Sequence, residues 1–312
     1  MVIRYDSLTS RIVGKILLKS EIFSLWFYRS KYVTRIRIIN AKSLIDNGGR
    51  TIVKNQREAF VNLFFGRIYL DLRNAHDRIV YNEITNRGYY EKGTTILFQK
   101  TIKRGNSVLD IGASNGYYTL LFSYLVGNSG SVYSYEPQTQ AFNRMLKNLS
   151  KNEIKNVKAY KLAIGEAKDE MDLHLSDVED GGSSLVSLEN SIGTEKVRVV
   201  TLDSLIAEIR ADVLKLDVEG WEINILKGGK KFINVNKPKI ILEYNLGLQI
   251  LAGFRPRNLF DLLANIGYNT YEIKDDGTLS EKITMPSSLS SPLVNLFCVP
   301  SAEAESINLN KS

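Results

Sequence analysis

The segment Asp110-Ile111-Gly112-Ala113-Ser114-Asn115-Gly116 lies between the apolar run Val108-Leu109 and the stretch Tyr117–Val126, which is apolar nearly all round. A short strand, a glycine-bearing turn and a buried helix make the first unit of an open α/β sheet. Ligands of such sheets bind outside the carboxyl ends of the strands, where this turn falls. Spacing narrows the choice of ligand. A dinucleotide fold uses G-x-G-x-x-G, so that the backbone can approach a pyrophosphate at the helix N-terminus. Here Gly112 and Gly116 are four positions apart and Ser114 stands where the middle glycine would be. That suits a ligand without a pyrophosphate, whose amino-acid moiety lies over the turn while Asp110 offers a carboxylate to its ammonium group. It disfavours an NAD-dependent oxidoreductase.

Outward from this turn, short apolar runs alternate with helical periodicity, the signature of βαβ units and a mostly parallel sheet. Residues 108–111 read as the first strand, Tyr117–Val126 as a buried helix and 132–135 as the second strand. Phe142, Met145, Leu146 and Leu149 then fall on one helical face, and 157–162 reads as the third strand. The rhythm breaks between 163 and 200, where Met171-Asp172-Leu173-His174-Leu175, the turn cluster Gly181-Gly182-Ser183-Ser184 and Val197-Arg198-Val199-Val200 predict a hairpin inserted beside the sheet. It resumes with a helix over 202–210, a strand over Val213–Leu216, a helix over Glu222–Lys227 stopped by Gly228-Gly229, and a strand over 240–242. A helix over 259–266 ends at Gly267, and two last strands near Tyr271 and Phe297 are expected to close the sheet as an antiparallel pair.

The chain of 312 residues is 44% apolar and 24% charged, as in ordinary globular proteins, which excludes a disordered or fibrous chain. Three regions are predicted: a basic helical and lead-in segment over 1–100, a Rossmann-like α/β domain over 101–300, and a polar tail over 301–312. Residues 1–42 carry nine Lys or Arg against Asp6 and Glu21, a surplus of seven that equals the whole net charge of +7. The balanced remainder gives no broad basic surface for a nucleic-acid backbone, so no nucleic-acid partner is expected. Ile12, Ile16, Phe23, Trp26 and Phe27 recur at near-helical spacing among basic residues. They read as one or two helices, either packed on the main domain or attached peripherally to anionic lipid. Ile68-Tyr69-Leu70 and Thr94-Thr95-Ile96-Leu97-Phe98 read as strand-like runs of a cap. The single cysteine, Cys298, lies in an apolar run and reads as a buried small hydrophobe. With no membrane-length apolar run and no signal-peptide pattern, a cytoplasmic location is expected.

Glu136, followed by Pro137, ends the second strand where a carboxylate can accept hydrogen bonds from both hydroxyls of a ribose. Taken together, the stretch from Val108 to Tyr118, Tyr135-Glu136-Pro137, Thr201-Leu202-Asp203 and Lys215-Leu216-Asp217-Val218-Glu219-Gly220-Trp221-Glu222 resemble the FkbM family of class I methyltransferases. So do Asn143, Asn148, Asn152 and Asn156 and, more weakly, Leu70-Asp71-Leu72 and Gly88-Tyr89-Tyr90-Glu91; residues 1–60 show no family pattern. The resemblance implies S-adenosylmethionine as cofactor and a saccharide or other small-molecule hydroxyl as methyl acceptor. The residues assigned to the cofactor are Asp110, Gly112, Ala113, Asn115, Gly116, Glu136 and Ala163.

A sulfonium methyl is already activated, so the protein must align the acceptor oxygen, exclude water and take a proton from the hydroxyl. Asp217 and Glu219 are the candidate catalytic residues: Asp217 ends the fourth strand, and alternation turns Glu219 the same way if the chain stays extended. Structurally, the same pair would instead cap the next helix and bind Lys215. Glu243 is a third acid at the same rim, whereas His174, His76 and Trp221 read as structural, Trp221 as a cover for the site. No His/Cys cluster has zinc spacing, so no metal ligand is assigned. The alternatives are methylation of nitrogen, disfavoured by the lack of an Asn-Pro-Pro-Tyr or Asp-Pro-Pro-Tyr tetrapeptide after the fourth strand, and a catalytically silent adenosyl-binding partner module.

Overall fold

The structure, a computed structural model, describes residues 58–176, 182–187 and 191–304. The basic amphipathic stretch, Gly181 of the turn cluster and most of the polar tail lie outside the described residues. In chain order the elements are β1 (Glu58–Leu63), β2 (Gly66–Asp71), α1 (Ala75–Arg87), α2 (Lys92–Thr101), β3 (Ser107–Ile111), α3 (Tyr117–Val126), β4 (Ser131–Tyr135), α4 (Thr139–Lys151) and β5 (Val157–Tyr160). Then come β6 (Ala163–Ile164), β7 (Asp169–Leu175), β8 (Gly193–Val200), a 3-10 turn (Leu202–Leu205), β9 (Val213–Leu216), α5 (Glu222–Lys227) and α6 (Lys230–Asn236). The chain closes with β10 (Lys239–Asn245), α7 (Leu246–Leu251), α8 (Asn258–Asn265), β11 (Tyr268–Ile273), β12 (Leu279–Ile283) and β13 (Leu293–Pro300).

The main sheet runs β12-β11-β13-β10-β9-β3-β4-β5. Pairing is parallel from β5 to β10 and antiparallel beyond. Strand order reverses beside β3, which pairs with β4 on one edge and β9 on the other, with Ile111 opposite Tyr135 and Leu216. The carboxyl ends of these three strands therefore open a crevice at one level, the topological switch point where ligands of open α/β sheets bind. The pleat divides the core. Leu109, Ile111, Leu214 and Leu216 pack with α5, α6, α7 and α8 on one face, and Val108 and Val213 pack with α1, α2, α3 and α4 on the other. Asp110 and Lys215, register partners in β3 and β9, point to this second face.

Several expectations need correction. Thr94 to Phe98 is the interior of α2, not a strand. Thr94, Thr95, Leu97 and Phe98 are all buried, Phe98 packs on Tyr118 and Phe122 at 5.2 and 4.6 Å, and the Thr95 hydroxyl donates to the Tyr90 carbonyl at 2.7 Å. Burial thus overrides β-branched propensity. The helix expected over 202–210 shrinks to the 3-10 turn, because only Leu202 and Ile209 there are buried and no continuous apolar face forms. The third strand stops at Tyr160. On α4, Met145 and Leu149 are buried while Leu146 is 40% exposed, so the apolar face is narrower than its spacing suggested. The inserted hairpin is β7 and β8, joined by β6 in a separate sheet of order β6-β8-β7. At the far edge three antiparallel strands, β13, β11 and β12, replace the expected two.

Candidate active site

The turn after β3 needs its glycines for reasons internal to the chain. Gly112 has φ +79° and lies so close to the turn after β9 that a Cβ there would sit 1.7 Å from the Asp217 carbonyl oxygen. Gly116 has φ +88°, and its Cβ would fall 2.9 Å from Met145 Cγ. Both positions combine a left-handed backbone with close approach, which only glycine meets without strain. The amides of Gly112 and Ala113 donate to the Tyr135 carbonyl at 2.9 and 3.1 Å, tying the turn to the end of β4.

Gly112, Ser114 and Glu136 form one wall of a crevice at the switch point; Leu162, Ala163, Leu173 and Leu185 give it an apolar side. Glu136 is 7% exposed, and its carboxylate accepts the Ser114 amide at 2.8 Å and the Gln138 amide at 2.9 Å. Burial pushes its carboxyl up to about 7 against those two bonds. Each carboxylate oxygen keeps a lone pair for a further donor, which is what two ribose hydroxyls require. The donor set and the mixed apolar wall fit an adenosyl ligand.

The other residues assigned to the cofactor stand one layer behind. Asp110 is fully buried, accepts from the Thr119 hydroxyl at 2.6 Å and lies 3.5 Å from Lys215 Nζ. Its carboxylate is therefore turned to Lys215 and Thr119, and it is not on the crevice wall. Asn115 donates through Nδ2 to Asp77 Oδ1 at 2.8 Å and accepts the Tyr117 amide at 3.1 Å, fastening the turn to α1. Ala113 and Gly116 likewise lie outside the lining, whereas Gly112, Glu136 and Ala163 belong to it.

At the rim, Asp217 lies 3.3 Å from Lys215 Nζ, and its amide donates to the Ile111 carbonyl at 3.1 Å. The chain does not stay extended beyond it, because Glu219 has φ +52° and Gly220 φ +95°. The turn nonetheless brings Glu219 to the same rim, and carboxylate oxygens of Asp217, Glu219 and Glu243 all lie within 4.8 Å of one another. Glu219 accepts the Gly182 amide at 2.8 Å from the inserted segment. Neither acid caps the next helix, which has no side-chain cap; Glu222 instead ties down the turn before it, accepting the Val218 and Gly220 amides at 3.3 and 3.2 Å. Burial, then the nearby Glu219, Asp217 and Glu91, holds the Glu243 carboxyl well above the usual carboxylate range. Such a trio has the spacing to bridge a divalent cation or to share a proton.

Three features escaped the sequence reading. Glu91 accepts the Tyr118 hydroxyl at 2.6 Å and Asn295 Nδ2 at 2.9 Å; burial, then the charge of Asp217, raises it to about 7. His76, read as structural, lines the crevice, and burial holds it below its ordinary range. Arg144 lines it too. Of the remaining candidates, Trp221 is on the wall, and His174 lies in β7, where its backbone pairs with Ser184.

The doubly wound sheet and the crevice at its switch point define a class I S-adenosylmethionine-dependent methyltransferase. The methyltransferase FkbM domain model matches residues 110–269, 160 of the 312 residues, and the chain belongs to that family. A protein-L-isoaspartate(D-aspartate) O-methyltransferase model matches residues 40–166. Over 55 residues the chain is 44% identical to a Saccharolobus solfataricus protein called "Probable cobalt-precorrin-6B C(15)-methyltransferase (decarboxylating)", a match covering 18% of this chain and 28% of the relative. Among solved structures it is similar to a methyltransferase FkbM from Methylobacillus flagellatus KT, with 16% identity, 65% of this chain and 50% of that one covered, and a TM-score of 0.40. It is also similar to a SAM-dependent O-methyltransferase from Thermotoga maritima, with 15% identity, coverage of 78% and 86%, and a TM-score of 0.39.

Proposed function

We propose that this methyltransferase transfers its methyl group to a hydroxyl oxygen of a sugar or glycoconjugate, with Asp217 taking the hydroxyl proton. The observation that carries the reading is the rim at which carboxylate oxygens of Asp217, Glu219 and Glu243 lie within 4.8 Å of one another. The cofactor, when bound, supplies an activated sulfonium methyl. Everything else asked of the chain is positioning and proton transfer. Glu136 accepts the ribose hydroxyls, and Ala163, Leu162 and Leu185 give the adenosyl group an apolar side that keeps water out. An alcohol is a poor nucleophile while protonated, so a base must stand where the acceptor enters. Asp217 is 28% exposed with Lys215 as its counter-ion, so it is reachable by an acceptor and held in place. A polyhydroxylated acceptor presents several O–H donors, and Glu219 and Glu243 provide acceptors for those that do not react.

Asp217→Asn keeps size and hydrogen bonding while removing the charge. Loss of a general base costs about 10²–10⁴ in rate, so turnover collapses while affinity for S-adenosylhomocysteine changes little. Mass spectrometry of glycans from a host with and without the gene identifies the acceptor by a loss of one methylene mass per missing methylation. Normal turnover by folded Asp217→Asn, or unchanged glycans together with a methylated species of another class, overturns the proposal.

A further inference from the structure

Arg144 lies on the crevice wall with its side chain largely buried and, among the described residues, with no hydrogen-bond acceptor for its Nε. The side chain is 13% exposed, and its one ion pair among the described residues is with Asp77, with Nε 3.4 Å from Oδ2. Nε makes no hydrogen bond. Asp77 is already engaged: Oδ1 accepts Asn115 Nδ2 and Oδ2 accepts the Asp71 amide, both at 2.8 Å. Asp77 thus shares its charge between these two donors and Arg144, whose guanidinium, on the crevice wall, has donors left for a second anion. A guanidinium presents its N–H groups in a planar fork that matches a carboxylate, and burying those donors without an acceptor is costly. An arrangement of this kind is complete only when an anion enters.

The surroundings say which anion. Arg144 precedes Met145, the residue that packs on Gly116, so this part of α4 faces the glycine turn. Glu136 and His76 line the same crevice as Arg144, whose charge helps hold the Glu136 carboxylate ionised and disfavours a proton on His76. Asn74, Ala75 and His76, the cap and first turn of the helix that also carries Asp77, line the same crevice. First-turn amides have no carbonyl partner within their own helix, and the helix dipole there favours negative charge. The acid rim, where the acceptor enters, offers no such welcome to an anion. Resting on the adenosyl reading of the crevice, we propose that Arg144 binds the carboxylate of the cofactor's amino-acid moiety.

Calorimetry on the full chain compares S-adenosylhomocysteine with 5′-methylthioadenosine, which keeps the adenosyl thioether and lacks the amino-acid group. Arg144→Met is expected to weaken S-adenosylhomocysteine by about 10- to 150-fold, the range for a charged hydrogen bond, and to leave methylthioadenosine unchanged. Arg144→Lys should recover part of the loss. Because Arg144→Met strands the buried Asp77 carboxylate, the double variant Arg144→Met/Asp77→Asn removes both charges and should show the same selective loss. Equal weakening of the two ligands, or undiminished S-adenosylhomocysteine binding in a folded variant, overturns the assignment of Arg144 and leaves the crevice reading intact. Failure of the unsubstituted protein to bind either ligand overturns the crevice reading itself, and the proposal with it.

Discussion

Glu136 offers a direct test of the adenosyl crevice, because its protonation and its ligand contacts are linked. Its carboxylate is buried and held by the Ser114 and Gln138 amides at 2.8 and 2.9 Å, and burial raises it to about 7. Ribose hydroxyls donate, so they need the ionised carboxylate; a protonated one places its own hydrogen in the way. Binding therefore lowers the carboxyl's pKa and releases a proton. Affinity is full above about pH 7 and falls by up to tenfold for each pH unit below it. Glu136→Ala removes an ionic acceptor worth about 1.5–3 kcal/mol, which at about 1.4 kcal/mol per decade is roughly a 10- to 150-fold rise in Kd. Glu136→Gln should flatten the pH profile as well as weaken binding, since no titrating group remains at that position. Isothermal titration of S-adenosylhomocysteine between pH 6 and 8.5, repeated in two buffers of different ionisation enthalpy, reads both affinity and proton release. An unchanged Kd in folded Glu136→Ala, or a wild-type profile flat across pH 7, refutes the reasoning.

Three further outcomes are expected. Gly112→Ala sets a Cβ 1.7 Å from a backbone oxygen at φ +79°; the loss of stability should exceed roughly 3 kcal/mol in a urea melt, and a near-native melt would show that the β9 turn yields easily. Stability should fall as pH rises from about 4.5 to 8, because burial raises Glu91 and Glu136 to about 7 and Glu222 to about 8. The native state holds protons that the unfolded chain releases, a slope of about 1.4 kcal/mol per pH unit for each titrating group, and urea midpoints that rise over this interval would contradict it. Finally, if the rim acts through a single base, Asp217→Asn is far more damaging to turnover than Glu219→Gln and chelators have no effect, whereas equal damage with chelator sensitivity would indicate a bridging metal.

Much of the scaffold was legible because its periodicities are long and its punctuation is strong. Tyr117–Val126 and Glu222–Lys227 have the bounds the apolar pattern gave them, the latter closed by Gly228-Gly229. What misled was local preference without burial. Thr94 and Thr95 favour strands as single residues, yet both are buried in a helix packed on Tyr118 and Phe122. At the site, Glu136 and Asp217 were legible as acids ending strands at the switch point. Glu219 reached the rim by a left-handed turn rather than by the alternation invoked for it, and no spacing rule encodes that turn. Asp110, assigned to the ligand, faces Lys215 because register pairs the two residues across β3 and β9, a fact carried by topology alone. Glu91 was named only within a lead-in motif and Arg144 not at all, for a related reason: each matters through neighbours far along the chain, Asn295 for one and Asp77 for the other.

Lys215 shows how the cofactor side and the acceptor side are mechanically joined. It is 4% exposed, lies 3.5 Å from Asp110 and 3.3 Å from Asp217, and donates to the Gly112 carbonyl at 3.0 Å. Burial works against its charge, but Asp217 and Asp110 outweigh it and hold the ammonium protonated. One cation thus fixes the glycine turn, the acid beneath it and the proposed base in a single cluster, so a shift of the turn on ligand binding must be felt at Asp217. Around this cluster, the matched family region supplies the turn, Glu136 and the rim acids from within residues 110–269. Asn74, His76, Asp77 and Glu91 come from before it and Asn295 from after it. The glycine turn and the rim acids thus sit in the parallel half of the sheet, and the lead-in helices and the antiparallel edge add side chains around them. Exchanging the segment 58–101 between family members should therefore weaken adenosyl binding, because it replaces the Asp77 that holds Asn115 of the glycine turn and pairs with Arg144, and unchanged affinity for S-adenosylhomocysteine after the exchange would show that the turn stands without the lead-in helices.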